Sequence, residues 1–261
     1  MKTTFSNIET MPEDTLQNNA SKNVIEINDL KKSFGIKKVL DGVNLSLANQ
    51  ENLVILGKSG TGKSVLIKCI IGLIEHDEGS LVVLDKKIDG LKSNELNELR
   101  KKVGFLFQSA ALYDSMTVRE NLEFPFRNNK LLKESDINAL VIEALEDVGL
   151  LDAIDKMPVE LSGGMRKRIG LARSLILKPA IMLYDEPTTG LDPITSREIS
   201  NLIMNVQKKH HTASIIITHD IACAKIVADR IIILHEGKCA VEGSFESLVN
   251  SKESWIKSYF E

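Results

Sequence analysis

Residues 53–64 read Leu-Val-Ile-Leu-Gly-Lys-Ser-Gly-Thr-Gly-Lys-Ser. Leu53 to Leu56 are apolar without interruption, the pattern of a strand buried on both faces at the centre of a mostly parallel sheet. Gly57-Lys58-Ser59-Gly60-Thr61-Gly62-Lys63-Ser64 then fits G-x-x-x-x-G-K-[ST] in full. Glycines let such a backbone wrap an anion and turn its N–H groups inward. From Lys63 to Leu73 the apolar spacing becomes helical, and the free N–H groups at a helix start attract phosphate. Lys63 supplies a cation for β and γ phosphates, and the Ser64 hydroxyl is an oxygen ligand suited to Mg²⁺. Strand, loop and helix in this order predict a nucleoside-triphosphate site.

Further along, residues 181–184 form a second strand-length apolar run that ends in Asp185-Glu186. Asp185 is thereby expected at the carboxyl end of a strand, where ligands sit in such sheets. It would hold Mg²⁺, and Glu186 would polarise an attacking water as a general base. Residues 103–107, 214–218 and 231–235 have the same buried-strand character, with a helical pattern over 194–209. Strands alternating with helices predict an α/β fold with a parallel sheet wrapped by helices. Residues 24–27 and 43–47 alternate apolar with polar, as half-buried strands do, and 31–35 read as a turn-like break between them.

Residues 109–178 interrupt the alternation with helices alone. Thr117 and Glu120 have capping-box spacing and open a helix that Pro125 ends. Residues 135–148 carry Ile137, Leu140, Val141, Ala144, Leu145 and Val148 on one stripe, and a third helix starts near Ser162 and runs to Leu177. The domain plan is therefore a polar, flexible lead-in over 1–23, one domain over 24–249 with its helical insertion, and a helical tail over 250–261. In that tail Trp255 and Tyr259 stand four apart, on one helical face that covers the chain's own core.

Composition limits the partners. The 261 residues are 43% hydrophobic and 26% charged, with a net charge of −3, so bulk charge does not favour a nucleic-acid partner. Cys69, Cys223 and Cys239 are scattered and lack C-x-x-C spacing, which suits small buried hydrophobes in a reducing compartment. No apolar run approaches the ~18–20 residues that span a bilayer. Work at a membrane would go through a partner.

Leu161-Ser162-Gly163-Gly164-Met165 resembles the signature motif of ATP-binding-cassette (ABC) ATPases. It falls in that family's order: phosphate loop, Gln108, signature, Asp185-Glu186, Gly190-Leu191-Asp192-Pro193, His219. The resemblance implies a P-loop cassette with a mostly parallel sheet, an antiparallel β-subdomain and a helical insertion. It implies ATP and Mg²⁺ as cofactors, a homodimer, and hydrolysis coupled to transport. Ser162, Gly163 and Gly164 would reach the γ-phosphate held by the opposite subunit. Gln108 would touch Mg²⁺ or the attacking water, Asp192 would sit at the dimer seam, His219 would hydrogen-bond the γ-phosphate, and Phe34 would stack on adenine. Met165 stands where Gln is commoner, which bears on the branch and not on ATP binding.

Residues 105–118, the run from Leu161 to Arg168, and the run from Tyr184 to Pro193 are similar to the Mla/Mce-type lipid transporters. That likeness implies integral membrane permease subunits, a Mce-type lipid-binding protein, and a peripheral position on the cytoplasmic face of the bacterial inner membrane. Tyr113 to Met116 would lie near the cleft that receives a permease helix. Two other readings stay open: an ABC ATPase uncoupled from transport, and a P-loop kinase, which needs neither the signature nor His219.

Overall fold

The computed structural model describes residues 22–127 and 133–260. Apart from Lys22 and Asn23, the lead-in expected over 1–23 lies outside the described residues. β1 (Asn23–Phe34) and β2 (Lys37–Ala48) pair antiparallel, with Ile25 opposite Leu47 and Ile27 opposite Leu45. The pairing continues to Phe34 opposite Lys37. Residues 31–34 are therefore strand, and the reversal is confined to Gly35 and Ile36.

β3 (Asn52–Leu56) and α1 (Lys63–Ile70) flank the phosphate loop, and β4 (Glu78–Val83) and β5 (Lys86–Lys87) follow as a hairpin. β4 pairs with β1 and completes a four-stranded antiparallel sheet in the order β2-β1-β4-β5. The hairpin carries no Asn-Gly signal. Its two linking residues, Leu84 and Asp85, take the left-handed backbone (φ 49 and 62) that a two-residue turn demands.

α2 (Ser93–Arg100) leads to β6 (Val103–Leu106), and the insertion then supplies α3 (Val118–Glu123), α4 (Glu134–Asp147) and α5 (Gly163–Leu175). The capping box is real: Thr117 Oγ1 accepts from Glu120 N at 3.2 Å and Glu120 Oε2 from Thr117 N at 2.8 Å. Pro125 lies in a single 3₁₀ turn that closes α3. On α4, Val141, Ala144 and Leu145 are buried and Ile137 and Leu140 pack beside them. The chain returns through β7 (Ile181–Asp185), α6 (Pro193–His210), β8 (Ala213–Thr218), α7 (Ile221–Val227), β9 (Arg230–His235), β10 (Lys238–Gly243), α8 (Phe245–Val249) and α9 (Ser254–Lys257).

The second sheet has the order β10-β9-β3-β8-β7-β6, all parallel except β10 at its edge. Alternate residues of the central strands enter two different cores. Leu53, Ile55, Ile215, Ile217, Ile181 and Leu183 face the β-subdomain and α1. Val54, Leu56, Ile216, Met182 and Tyr184 face the helical insertion, α6 and α7. Burial on both faces is why these strands read as unbroken apolar runs.

In the tail Ile256 is buried, and Phe260 meets Phe245 edge-on at 5.5 Å. Trp255 and Tyr259 do meet, at 6.4 Å, but Trp255 rests on His235 and stays partly exposed. Cys69 and Cys223 are buried as expected, whereas Cys239 is only half-buried. Burial pushes all three thiols up to about 11, which keeps them unreactive.

Ile55→Ala removes a fully buried side chain from the central strand and should cost about 2–5 kcal/mol. Ile36→Ala, at a hairpin tip where the side chain is fully exposed, should stay within ~0.5 kcal/mol. Urea unfolding of the two variants beside the parent checks the contrast.

Candidate active site

Three adjacent parallel strands end at one level and deliver the chemistry. Leu56 of β3 pairs with Thr218 of β8, and Ile217 of β8 pairs with Asp185 of β7. The next residues along each strand are Gly57, His219 and Glu186. His219, Glu186 and the loop that Gly57 opens border a cleft of about 720 Å³ lined by Phe34, Lys37, Val39, Lys58, Ser59, Gly60, Gly62, Lys63, Ser64, Val65, Gln108, Glu186 and His219. Ten of the expected site residues thus share one cleft.

The loop from Gly57 is organised by its own lysine. Lys63 Nζ donates to Gly57 O at 2.7 Å and Lys58 O at 3.1 Å, and stands 3.9 Å from Glu186 Oε1. Thr61 Oγ1 closes the turn on Lys58 O at 2.9 Å. The Lys63 side chain is buried, and burial pulls its ammonium below the usual lysine range against the opposing pull of Glu186 and Asp185. α1 begins with no side-chain cap, so its first N–H groups are left for an incoming acceptor.

Asp185 is buried at the end of β7 and accepts from Ser64 Oγ at 3.0 Å. This hydroxyl and carboxylate are hard oxygen donors that fit Mg²⁺, with the Gln108 amide also on the cleft wall. Among the described residues no group of three or more His, Cys, Asp or Glu could hold an ion alone. Such a donor set therefore suits Mg²⁺ with phosphate and water completing its shell. Glu186 has the left-handed backbone (φ 52), rare for a residue with a side chain. Its Oε2 is held by His219 Nδ1 at 2.8 Å and Thr189 Oγ1 at 3.1 Å. Phe34 is half exposed at the mouth, with the Lys32 ammonium 5.5 Å from its ring centre.

The signature residues and Asp192 line no part of this cleft. Ser162 caps α5 by accepting from Met165 N at 3.2 Å. Asp192 caps α6, accepting from Ile194 N and Thr195 N, both at 3.0 Å, and from Thr195 Oγ1 at 2.5 Å. The Thr195 hydroxyl and these N–H groups hold its carboxyl below the usual range. Tyr113 is partly exposed and packs on Phe124 at 4.6 Å.

Sequence reasoning missed four residues here. Lys37 and Val39 enter from β2, which no motif marks, and Val65 follows the loop motif directly. Lys167 is the fourth: it is 6% exposed, and its Nζ donates to Gln108 O at 2.5 Å and Glu186 O at 3.2 Å. A lysine two residues past Met165, inside an amphipathic helix, looks solvated in sequence.

Known proteins resemble this chain over most of its length. A family model described as "ABC transporter" matches residues 40–189. "Probable ribonucleotide transport ATP-binding protein mkl" of Mycobacterium bovis is 41% identical over 90% of this chain and 66% of its own length. The chain thus spans just under two thirds of that relative. "Protein TRIGALACTOSYLDIACYLGLYCEROL 3, chloroplastic" of Arabidopsis thaliana is 38% identical over 92% of this chain and 74% of its own. "Methionine import ATP-binding protein MetN" of Rhizobium johnstonii is 37% identical over 91% and 65%. Among solved structures, the dimeric, ADP- and Pi-bound ATP-binding cassette MJ0796 superposes with a TM-score of 0.77 at 30% identity, covering 85% of this chain and 98% of that one. The cbiO1 protein of Clostridium perfringens, part of the ABC transporter complex cbiONQ, gives 0.82 at 29% identity, covering 92% and 95%. The family model takes in more than half of the 261 residues, and the chain belongs to the ABC transporter family.

Proposed function

We propose that this chain is the ATP-binding, ATP-hydrolysing subunit of an ABC transporter, and that it powers phospholipid movement through a separate membrane permease. The observation that carries the ATPase reading is the meeting of Lys63, Ser64, Gln108, Glu186 and His219 around one cleft, with Asp185 behind it on Ser64.

The phosphate loop binds the β and γ phosphates through its N–H groups and Lys63, and Phe34 offers its ring to adenine. Ser64, Asp185 and Gln108 are the residues that would hold Mg²⁺, which neutralises charge on the phosphates when bound. Glu186 takes a proton from water as the water oxygen attacks the γ-phosphorus and the bond to ADP breaks. His219 and Thr189 hold one Glu186 oxygen, leaving the other, beside Lys63, to face the water. Ser162, Gly163 and Gly164 face out of their own cleft and serve the γ-phosphate of a second copy, with Asp192 at the seam. The functional unit is then a homodimer with two composite sites.

Three supports favour lipid as cargo: the Mla/Mce-like run over 105–118, Met165 in the signature, and the 38% identity to a relative whose name is that of a glycolipid. Relatives named for ribonucleotide transport and methionine import define the competing cargoes. Among the described residues no helix is long and apolar enough to cross a membrane. The likeness to the Mla/Mce-type transporters supports a peripheral station on the cytoplasmic face of a bacterial inner membrane, beside permease subunits and a Mce-type partner.

Glu186→Gln should lower kcat by about 10²–10⁴-fold, the range for loss of a general base, while ATP binding persists. Gel filtration with ATP should then trap a dimer; a strictly monomeric product refutes the composite site. Ser162→Arg should bind ATP normally and fail to turn over, so normal phosphate release in that variant contradicts action across the seam. For the cargo, the chain with its co-purified permease in vesicles should move labelled phospholipid on ATP addition. Movement of labelled ribonucleotide or methionine instead would displace the lipid reading.

A further inference from the structure

The face of α5 that carries Lys167, Gly170 and Arg173 lies along the loop after β6. Lys167 Nζ holds Gln108 O, and Arg173 bonds Ala111 O and stacks its guanidinium 4.8 Å from the Tyr113 ring centre. Between them Ala110 packs on Gly170, where a Cβ would stand 2.9 Å from Ala110 Cβ and 3.1 Å from its carbonyl oxygen. Only glycine admits the loop this close. The loop needs support, because Ala110 and Ala111 are both left-handed (φ 62 and 50), a strained conformation for residues that carry a Cβ.

Lys167 differs from its neighbours on this face by reaching a second strained site. The same Nζ holds the carbonyl of Glu186, whose backbone is left-handed too. A buried lysine is retained against a desolvation penalty, and burial pulls this one below the usual lysine range while Glu186 and Asp185 pull it back. Its ammonium has three donors; two are spent on the main chain of Gln108 and Glu186, which both line the cleft.

We infer that Lys167 is a positioning residue for ATP hydrolysis: it fixes Gln108 and Glu186 relative to each other and to the helix whose first turn is the signature. This rests on the ATPase reading above. The link also gives each cleft a mechanical tie to the other, since a shift of α5 at Ser162 moves the backbone of the chain's own Glu186 and Gln108. Phosphate binding by Lys63 and the loop N–H groups does not pass through Lys167, so substrate affinity and chemical rate should separate.

Steady-state hydrolysis by the full chain tests this, with Lys167→Met, which keeps length without charge, beside Lys167→Arg, which restores a cation. Lys167→Met should lose about 10²-fold in kcat, the scale of a ~1 Å misplacement, with KM for ATP within about twofold, and Lys167→Arg should recover most of the rate. Should Lys167→Met fail to fold, the shorter, uncharged Lys167→Gln carries the same comparison. Wild-type kcat in either uncharged variant, or a loss wholly in KM, overturns the proposal. Glu186→Gln is run alongside: if it turns over normally, the site reading has failed instead.

Discussion

The register of three parallel strands is the constraint on which the site depends. β8 lies between β3 and β7, and the ladder from Leu56 to Thr218 and from Ile217 to Asp185 decides that the loop glycine, histidine and carboxylate emerge together. Side chains in a strand alternate, so a slip of one residue would send Ile55, Ile217 and Leu183 to the wrong core. Each of these is fully buried, and burying such a side chain is worth roughly 1.5–3 kcal/mol. The two cores thus hold the catalytic level in place, and Glu186 N adds a bond to Ile217 O at 2.9 Å just beyond the last strand pair.

What was legible in the sequence follows from how local each signal is. The phosphate loop, the Asp185-Glu186 pair and the Thr117 cap are complete within a few residues, and each was readable. The helical insertion was readable because its stripe at Ile137, Val141, Leu145 and Val148 has a clear period. The hairpin of β4 and β5 was not, because Leu84-Asp85 adopts the turn without the residues that advertise it, and β5 is only two residues long. The 31–34 segment misled through its two lysines. In the structure they point to carboxylates, Lys31 to Glu78 and Lys32 to Asp77, across the sheet. Those long-range pairs convert a polar stretch into regular strand, and no local pattern records them.

The residues missed in the site were invisible for the same reason. Lys167 acquires its role only when α5 is laid against the β6 and β7 ends, 59 and 19 residues away in sequence. Lys37 and Val39 reach the cleft because the antiparallel sheet folds over the loop. Motifs describe the groups that touch phosphate, whereas the scaffold that aims those groups is written in tertiary contacts.

The signature residues bring the two levels together. Gly164 lies so near α6 that a Cβ there would meet Thr195 Cγ2 at 2.6 Å, so packing favours glycine there before any ligand is considered. That packing sets the starts of α5 and α6 side by side, capped by Ser162 and Asp192 and exposed. Two helix N-termini at one surface concentrate positive potential there, with Ile194 exposed in the first turn of α6. In the proposed dimer this surface, which lines no part of its own cleft, would supply half of a site. The cleft that holds the phosphate loop would be the complementary half. On the dimer proposed above, a second copy of the same chain would present both, and a single cassette would hold the parts for the reaction without the closure that this reading requires.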